Sequence, residues 1–134
     1  MQTRTFQILN TRYPYISTDT TEDPEGLIED ICKRYGVSID EIRSKTRKRE
    51  VVEMRHLIHW ILYRLKLCGA YTDYTVEKIG LRTLRHHATV LHSFNTINDW
   101  ILYYPKIRTR ARYITGMANN LLGMRNGGYR LPWE

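Results

Sequence analysis

A helical repeat of apolar residues is the clearest pattern in the chain. One stripe recurs at intervals of four, three, four and three residues: Val90, Phe94, Ile97, Ile101 and Tyr104. A second stripe has the same spacing: Met54, Ile58, Ile61, Leu65 and Cys68. This spacing places each stripe on one face of an α-helix. The two stripes therefore predict two long core-facing helices, one over 50–67 and one beginning near Arg85.

Residues that start and stop helices divide the rest of the chain. Asp23, Pro24 and Glu25 are typical of a helix start, and Gly36 ends the helix that follows. Its predicted buried face is Leu27, Ile28, Ile31, Cys32 and Tyr35. Ser38 is the predicted cap of a short helix that runs from Ile39 to about Arg43. After an interruption at Pro105, a last helix is predicted over 107–122, with Ile114, Met117 and Leu121 as a weaker apolar face. No β-periodic segment of useful length is present, which predicts an all-α chain.

The stretch before the second long helix has the outline of a helix-turn-helix. A short helix is predicted over 73–80 with Thr75 as its N-cap, followed by a bend over 81–84. The next helix opens with a polar and basic turn: Arg85, His86, His87, Ala88 and Thr89. A helix-turn-helix places the first residues of its second helix in the major groove of DNA. Two ordinary packed helices explain the same pattern equally well.

Composition limits the class of protein. The 134 residues suit one domain, and a net charge of +7 with a pI near 9.6 favours a polyanionic partner. Cys32 and Cys68 are too few for a disulfide framework, so we expect reduced thiols and a cytoplasmic protein. No signal peptide or membrane-spanning run is evident.

The positive charge is concentrated in the middle and at the end of the chain. Residues 44–64 contain six basic and two acidic residues, and residues 107–134 contain five and one. The densest run is Lys45, Thr46, Arg47, Lys48 and Arg49. A solvated loop accounts for most such runs. A phosphate-tracking or minor-groove arm is the alternative, and the nearby helix-turn-helix gives it weight.

Two segments together resemble the C-terminal DNA-binding domain of the bacterial replication initiator DnaA. That family has a basic loop of the type S-K-R-R-S-R-S-V-A-R-P-R before a long helix, and this chain has S-K-T-R-K-R-E-V-V-E-M-R over 44–55. The family then has E-I-G and R-D-H-T-T-V-L-H-A, where this chain has K-I-G over 78–80 and R-H-H-A-T-V-L-H-S over 85–93. The resemblance implies a small helical bundle with an embedded helix-turn-helix over 24–122. Residues 1–23 are then a leader and 123–134 a basic tail, and either could contact a protein partner.

The resemblance also implies roles for individual residues. Arg47 takes the place of the family's minor-groove arginine, with Lys45 and Arg49 on phosphates and Lys48 in the same run. Arg55 and His56 match positions that contact the DNA backbone. His87 matches a histidine that touches a base edge, and Arg85 and Thr89 match phosphate and groove-wall contacts. His86 and Ala88 replace an aspartate and a threonine with which the family reads bases. These replacements argue against the family's usual origin box as the target.

The sequence therefore predicts a non-enzymatic protein that binds specific double-stranded DNA, in replication control or in transcriptional regulation. No G-x-x-x-x-G-K-[ST] loop is present, so ATP-driven origin melting is not expected. We expect no cofactor and no metal, because the five histidines and two cysteines lack the spacing of a zinc site. The alternative is a protein-interaction module that keeps the fold without specific DNA binding.

Overall fold

Six α-helices make up the part of the chain that the computed structural model describes, which is residues 25–67 and 75–121. They are α1 (Glu25–Tyr35), α2 (Ile39–Arg43), α3 (Arg49–Leu67), α4 (Val76–Arg82), α5 (His87–Tyr103) and α6 (Pro105–Leu121). Neither described range contains a β-strand, so the predicted all-α class is confirmed. The predicted cap at Asp23 and Pro24, the Cys68 position, the leader and the tail lie outside these ranges.

Helix α3 is the centre of the bundle and packs against each of the other five helices. Its predicted stripe is confirmed within the described range, since Met54, Ile58, Ile61 and Leu65 are all buried. Leu57, Trp60 and Leu62 are buried on its other sides. An α-helix that is apolar on most of its circumference belongs in the interior. The sequence signal of α3 thus explains its central position.

Helix α5 buries most of its predicted stripe, but the prediction fails at the end. Val90, Ile97 and Ile101 are buried, whereas Tyr104 is 52% exposed. The helix ends at Tyr103, and Tyr104 turns to an extended backbone with φ −120° and ψ 104°. The helical face that carries the stripe therefore ends before Tyr104. Pro105 then starts α6 as its first residue, a position where proline is favoured.

The turn between α4 and α5 is tight and depends on Gly80. Thr75 caps α4 as predicted, accepting a hydrogen bond from the backbone N–H of Lys78 at 3.2 Å. The backbone N–H of Arg85 donates to the carbonyl oxygen of Gly80 at 2.7 Å, and Leu84 has a positive φ of 57°. A Cβ atom on Gly80 would overlap the carbonyl oxygen of Arg85. Only glycine, which has no Cβ atom, allows the backbone of Arg85 to approach α4 this closely.

Replacement of Gly80 by alanine is expected to destabilise the protein by about 1–3 kcal/mol, because a backbone oxygen cannot move aside as a flexible side chain can. Gly116→Ala is the matched control. Gly116 also lies within a helix, but a Cβ there has no atom within 4 Å. Its replacement is expected to stabilise the helix by up to about 1 kcal/mol. Urea unfolding followed by circular dichroism measures both. Equal effects of the two substitutions would contradict the proposed role of the turn.

Candidate nucleic-acid interface

The basic loop lies between α2 and α3 and is shaped by its own hydroxyl groups. The side chain of Ser44 donates to the carbonyl oxygen of Glu41 at 2.7 Å and accepts from the backbone N–H of Thr46 at 3.2 Å. The side chain of Thr46 accepts from the backbone N–H of Lys48 at 3.3 Å. These local bonds replace helical ones and hold the loop in an irregular conformation. The side chains of Lys45, Arg47 and Lys48 remain exposed on it.

Arg55 lies beneath this loop rather than at the surface. It is 7% exposed, and its Nε donates to the carbonyl oxygen of Ile42 at 2.9 Å. Its Nη2 lies within hydrogen-bonding distance of three more carbonyl oxygens, those of Glu41, Ser44 and Thr46. Burial, and then the charge of Arg85, lower the pKa of Arg55. Arg55 therefore positions the loop, and its predicted contact with the DNA backbone stays a prediction.

Arg85 joins the same loop to the turn of the helix-turn-helix. Its guanidinium donates to the carbonyl oxygens of Ser44 and, at 3.4 Å, Arg43 on the loop side. On the other side it donates to the carbonyl oxygens of Thr83 at 3.0 Å and Leu84 at 3.3 Å. A planar guanidinium with five donors can bind several acceptors at once. The loop and the turn are consequently fixed relative to each other.

Helix α5 begins with two stacked histidines. It starts at His87, two residues later than predicted, and the Nδ1 atom of His86 accepts from the backbone N–H of Ala88 at 3.2 Å. His86 is thus the N-cap, in the position that an aspartate fills in the family. The His86 and His87 rings lie 4.2 Å apart, and His86 and Ala88 are exposed, while His87 and Thr89 are half-buried.

The basic loop and the turn before α5 border one cationic cleft. The cleft has a volume of about 580 Å³ and is lined by Lys45, Thr46, Arg47, Val52, Arg55, Leu84 and Arg85. Four of these seven side chains are cationic and none is acidic. Such a surface attracts a polyanion such as a phosphate backbone. The structure therefore brings the predicted arm and the predicted recognition helix to the same surface.

A buried polar chain anchors this surface to α3. His59 is fully buried, and its Nε2 and Nδ1 atoms contact the hydroxyls of Thr83 and, at 2.9 Å, Ser93. The Nδ1 atom of His56 also contacts Ser93, at 2.7 Å. Thr83 donates in turn to the carbonyl oxygen of Gly80 at 3.2 Å. His56, predicted to contact the DNA backbone, is thus half-buried and bound within the protein.

One arrangement of protons satisfies this chain. His59 donates from Nε2 to Thr83 and accepts at Nδ1 from Ser93, and His56 then donates from Nδ1 to Ser93. Both rings are neutral in this arrangement. Burial is the main cause that lowers the pKa of His59 to about 3 and that of His56 to about 4. The sequence offered no sign of this chain, because its members are 34 and 24 residues apart.

Metal sites, membrane-spanning helices and the Cys32 thiol are the remaining features of the described part of the chain. No group of three or more His, Cys, Asp or Glu side chains there is arranged to hold a metal ion. None of its helices is both long enough and apolar enough to cross a membrane. Cys32 is a free, buried thiol whose pKa is raised to about 11, mainly by burial.

Comparison with known proteins identifies relatives of the helical region. Residues 24–97 match the family model described as the bacterial dnaA protein helix-turn-helix. The chromosomal replication initiator protein DnaA of Bacteroides thetaiotaomicron is 34% identical over 74 residues, which are 54% of this chain and 14% of that protein. The protein of the same name from Mycoplasma pneumoniae is 33% identical over 82 residues, 59% of this chain and 17% of that one. The chain spans less than a fifth of the length of these relatives.

The buried histidines predict a dependence of stability on pH. Their pKa values are lower in the folded protein than the ordinary value of about 6.5, so the unfolded chain binds more protons in acid. This contribution to the free energy of unfolding is complete above about pH 6.5 and is lost as the pH falls to about 4 for His56 and to about 3 for His59. Urea unfolding at a series of pH values measures the slope. His59→Gln is expected to reduce the slope by about one proton, and His56→Gln by less because His56 is less buried.

Replacement of the exposed His86 by glutamine controls for the removal of one histidine. An equal reduction in slope in that variant would show that the buried chain is not the source of the pH dependence.

Proposed function

We propose that this chain, which belongs to the family of the bacterial DnaA protein helix-turn-helix, binds double-stranded DNA in a sequence-specific manner. One observation carries the proposal most directly. Arg85 holds the basic loop and the turn before α5 against the same cationic cleft. A phosphate backbone lying in this cleft has the loop on one side and the turn that leads into α5 on the other. That is the geometry needed to reach a minor groove and the adjacent major groove together.

In this arrangement the exposed loop side chains enter or border the minor groove. Arg47 is the arm that enters it, and Lys45 and Lys48 lie beside it against phosphates. Arg49 extends this run at the start of α3, where its side chain is 91% exposed. The family relationship supports the assignment of Arg47. The absence of any acidic side chain from the cleft lining supports it independently.

The start of α5 supplies the contacts that read bases. The Nδ1 atom of His86 is occupied as an acceptor by the helix cap, so neutral His86 carries its proton on Nε2. Its free nitrogen is consequently a donor, whereas the aspartate that the family has here can only accept. Guanine O6, purine N7 and thymine O4 are acceptors in the major groove. We infer that His86 favours these atoms, that His87 contacts the adjacent base, and that Ala88 packs on a thymine methyl.

The biological role that we propose is control of replication initiation, with transcriptional regulation as the second candidate. The family relationship favours the first. Because the chain spans less than a fifth of its curated relatives, the remaining activities of those proteins do not transfer to it. The expected location is the bacterial nucleoid in the cytoplasm.

Selection from a random duplex library, followed by fluorescence anisotropy on the enriched motif, tests DNA binding. Arg47→Ala is expected to weaken binding about tenfold and to lower the slope of log Kd against log salt by about 1. His87→Ala is expected to relax preference at one base position, at about 1–3 kcal/mol. Lys33→Ala, at an exposed position of α1, is the control for loss of one charge. Absence of binding at low salt would contradict the proposal and favour a protein-interaction module.

His86→Asp separates the capping role of His86 from its reading role. Aspartate is a good N-cap, so stability is expected to be kept or slightly raised. The carboxylate can only accept, so the selected motif is expected to change toward the amino groups of cytosine or adenine. Repeating the selection with this variant measures the change. An unchanged motif would show that position 86 does not contact a base.

A further inference from the structure

A second cleft lies on the opposite side of Arg47 from the first. It has a volume of about 410 Å³ and is lined by Arg47, Arg49, Val52, Glu53, Trp100, Tyr104, Lys106 and Ile107. Three elements form it: the start of α3, the end of α5 and the start of α6. Arg47 and Val52 line both clefts. These two residues therefore lie on the ridge that separates the clefts.

The second cleft is cationic despite the presence of Glu53. Glu53 is 7% exposed, and its carboxylate accepts from Arg110 at 3.2 Å and pairs with Arg49 at 3.4 Å. Arg110 thus compensates the charge of Glu53 from behind the cleft. Lys106 is exposed, and the described part of the chain contains no partner for it. Arg47, Arg49 and Lys106 leave an excess of positive charge at the surface.

The aromatic wall of this cleft adds the hydroxyl group of Tyr104. Tyr104 is 52% exposed because α5 ends one residue before it. Its ring packs edge-on against Trp100, with centroids 6.2 Å apart, and Trp100 packs edge-on against His56 at 5.7 Å. The chain of aromatic contacts links Tyr104 to the buried histidines.

We propose that this second cleft binds the sugar–phosphate backbone of the second DNA strand, through Lys106, Arg49 and the hydroxyl of Tyr104. This inference rests on the proposed function. A B-DNA minor groove is about 6 Å wide and has one backbone on each side. If Arg47 occupies the minor groove, the ridge between the two clefts lies between the two DNA backbones. The first cleft binds the strand that separates the minor groove from the major groove entered by α5. The second cleft binds the other strand.

The contact is one of charge and hydroxyl groups with phosphate, so it carries no sequence preference. It fixes how far the arm enters and at which angle, because two backbones are bound instead of one. Lys106 is the residue that distinguishes the second cleft, since it lies on α6, outside the helix-turn-helix, and lines only this cleft. Its removal is expected to weaken binding to every sequence by a similar factor.

The test compares Lys106→Gln and Tyr104→Phe with the control Lys33→Gln, whose residue lines neither cleft. Anisotropy titrations over about 50 to 200 mM salt measure the Kd of each on the selected duplex. Lys106→Gln is expected to weaken binding roughly fivefold and to lower the salt slope by about 1. Tyr104→Phe is expected to weaken binding by a smaller factor. Lys33→Gln is expected to match the native chain.

A series of duplexes, shortened from the arm side one strand at a time, locates the contact. Removal of the backbone of one strand is expected to weaken native binding by a larger factor than it weakens Lys106→Gln, because the variant has already lost one of the three contacts with that strand. Equal losses in both proteins, or a Lys106→Gln variant that binds like the native chain, would overturn the inference while DNA binding itself stands. Tighter binding to a single-stranded overhang would overturn it in favour of an unstacked base on Tyr104. A native chain that binds no duplex would contradict the proposed function instead.

Discussion

Two buried or half-buried guanidinium groups bound to backbone carbonyl oxygens determine the shape of the interface. Arg55 reaches up from α3 and Arg85 reaches back from the turn, and both end on the carbonyl oxygens of the loop after α2. Burial of a cation without a carboxylate partner is unfavourable unless hydrogen bonds compensate it. Here the carbonyl dipoles provide that compensation. If either arginine were removed, the loop would lose its attachment and the cleft would lose a wall.

A second layer of polar contacts lies beneath the arginines. A chain of hydrogen bonds connects the turn and α5 to the central helix at a point where apolar packing would be simpler. Its members are Thr83, His59, Ser93 and His56. Hydrogen bonds specify one relative position, whereas apolar side chains of similar volume tolerate several. The proposed contact with two grooves of DNA would require this definition. The cost is sensitivity to acid, because a proton on the Nδ1 atom of His59 would remove the acceptor of the Ser93 hydroxyl, and burial disfavours the charge on both rings.

The sequence predicted the helices far better than the site. The stripes of α3 and α5 follow from spacing alone, and the caps Ser38 and Thr75 were evident from residue type. Tyr104 was misplaced because the spacing continues to it, whereas the helix stops before Pro105. Arg55 and His56 follow an exposed basic run in sequence, so both resembled surface residues. Their partners are carbonyl oxygens and a serine on other elements, which no local pattern reveals. Lys106 escaped notice for the same reason, since only the fold brings it near Arg47.

The partners of Arg55 and Arg85 also bear on how such a protein can change over generations. Both arginines bind main-chain oxygens, and every amino acid provides the same carbonyl group. Mutations at 45, 47 and 48 can therefore exchange one side chain for another while the path of the loop is kept. Ala88, at the start of α5, can be exchanged in the same way. Its side chain is exposed, and the helix cap uses only its backbone N–H. Under the proposed function, single substitutions at these positions change which DNA sequence is bound, because the arginines that hold the surface in place are separate from the side chains that read. His86 is the exception, since it both caps α5 and is proposed to read a base.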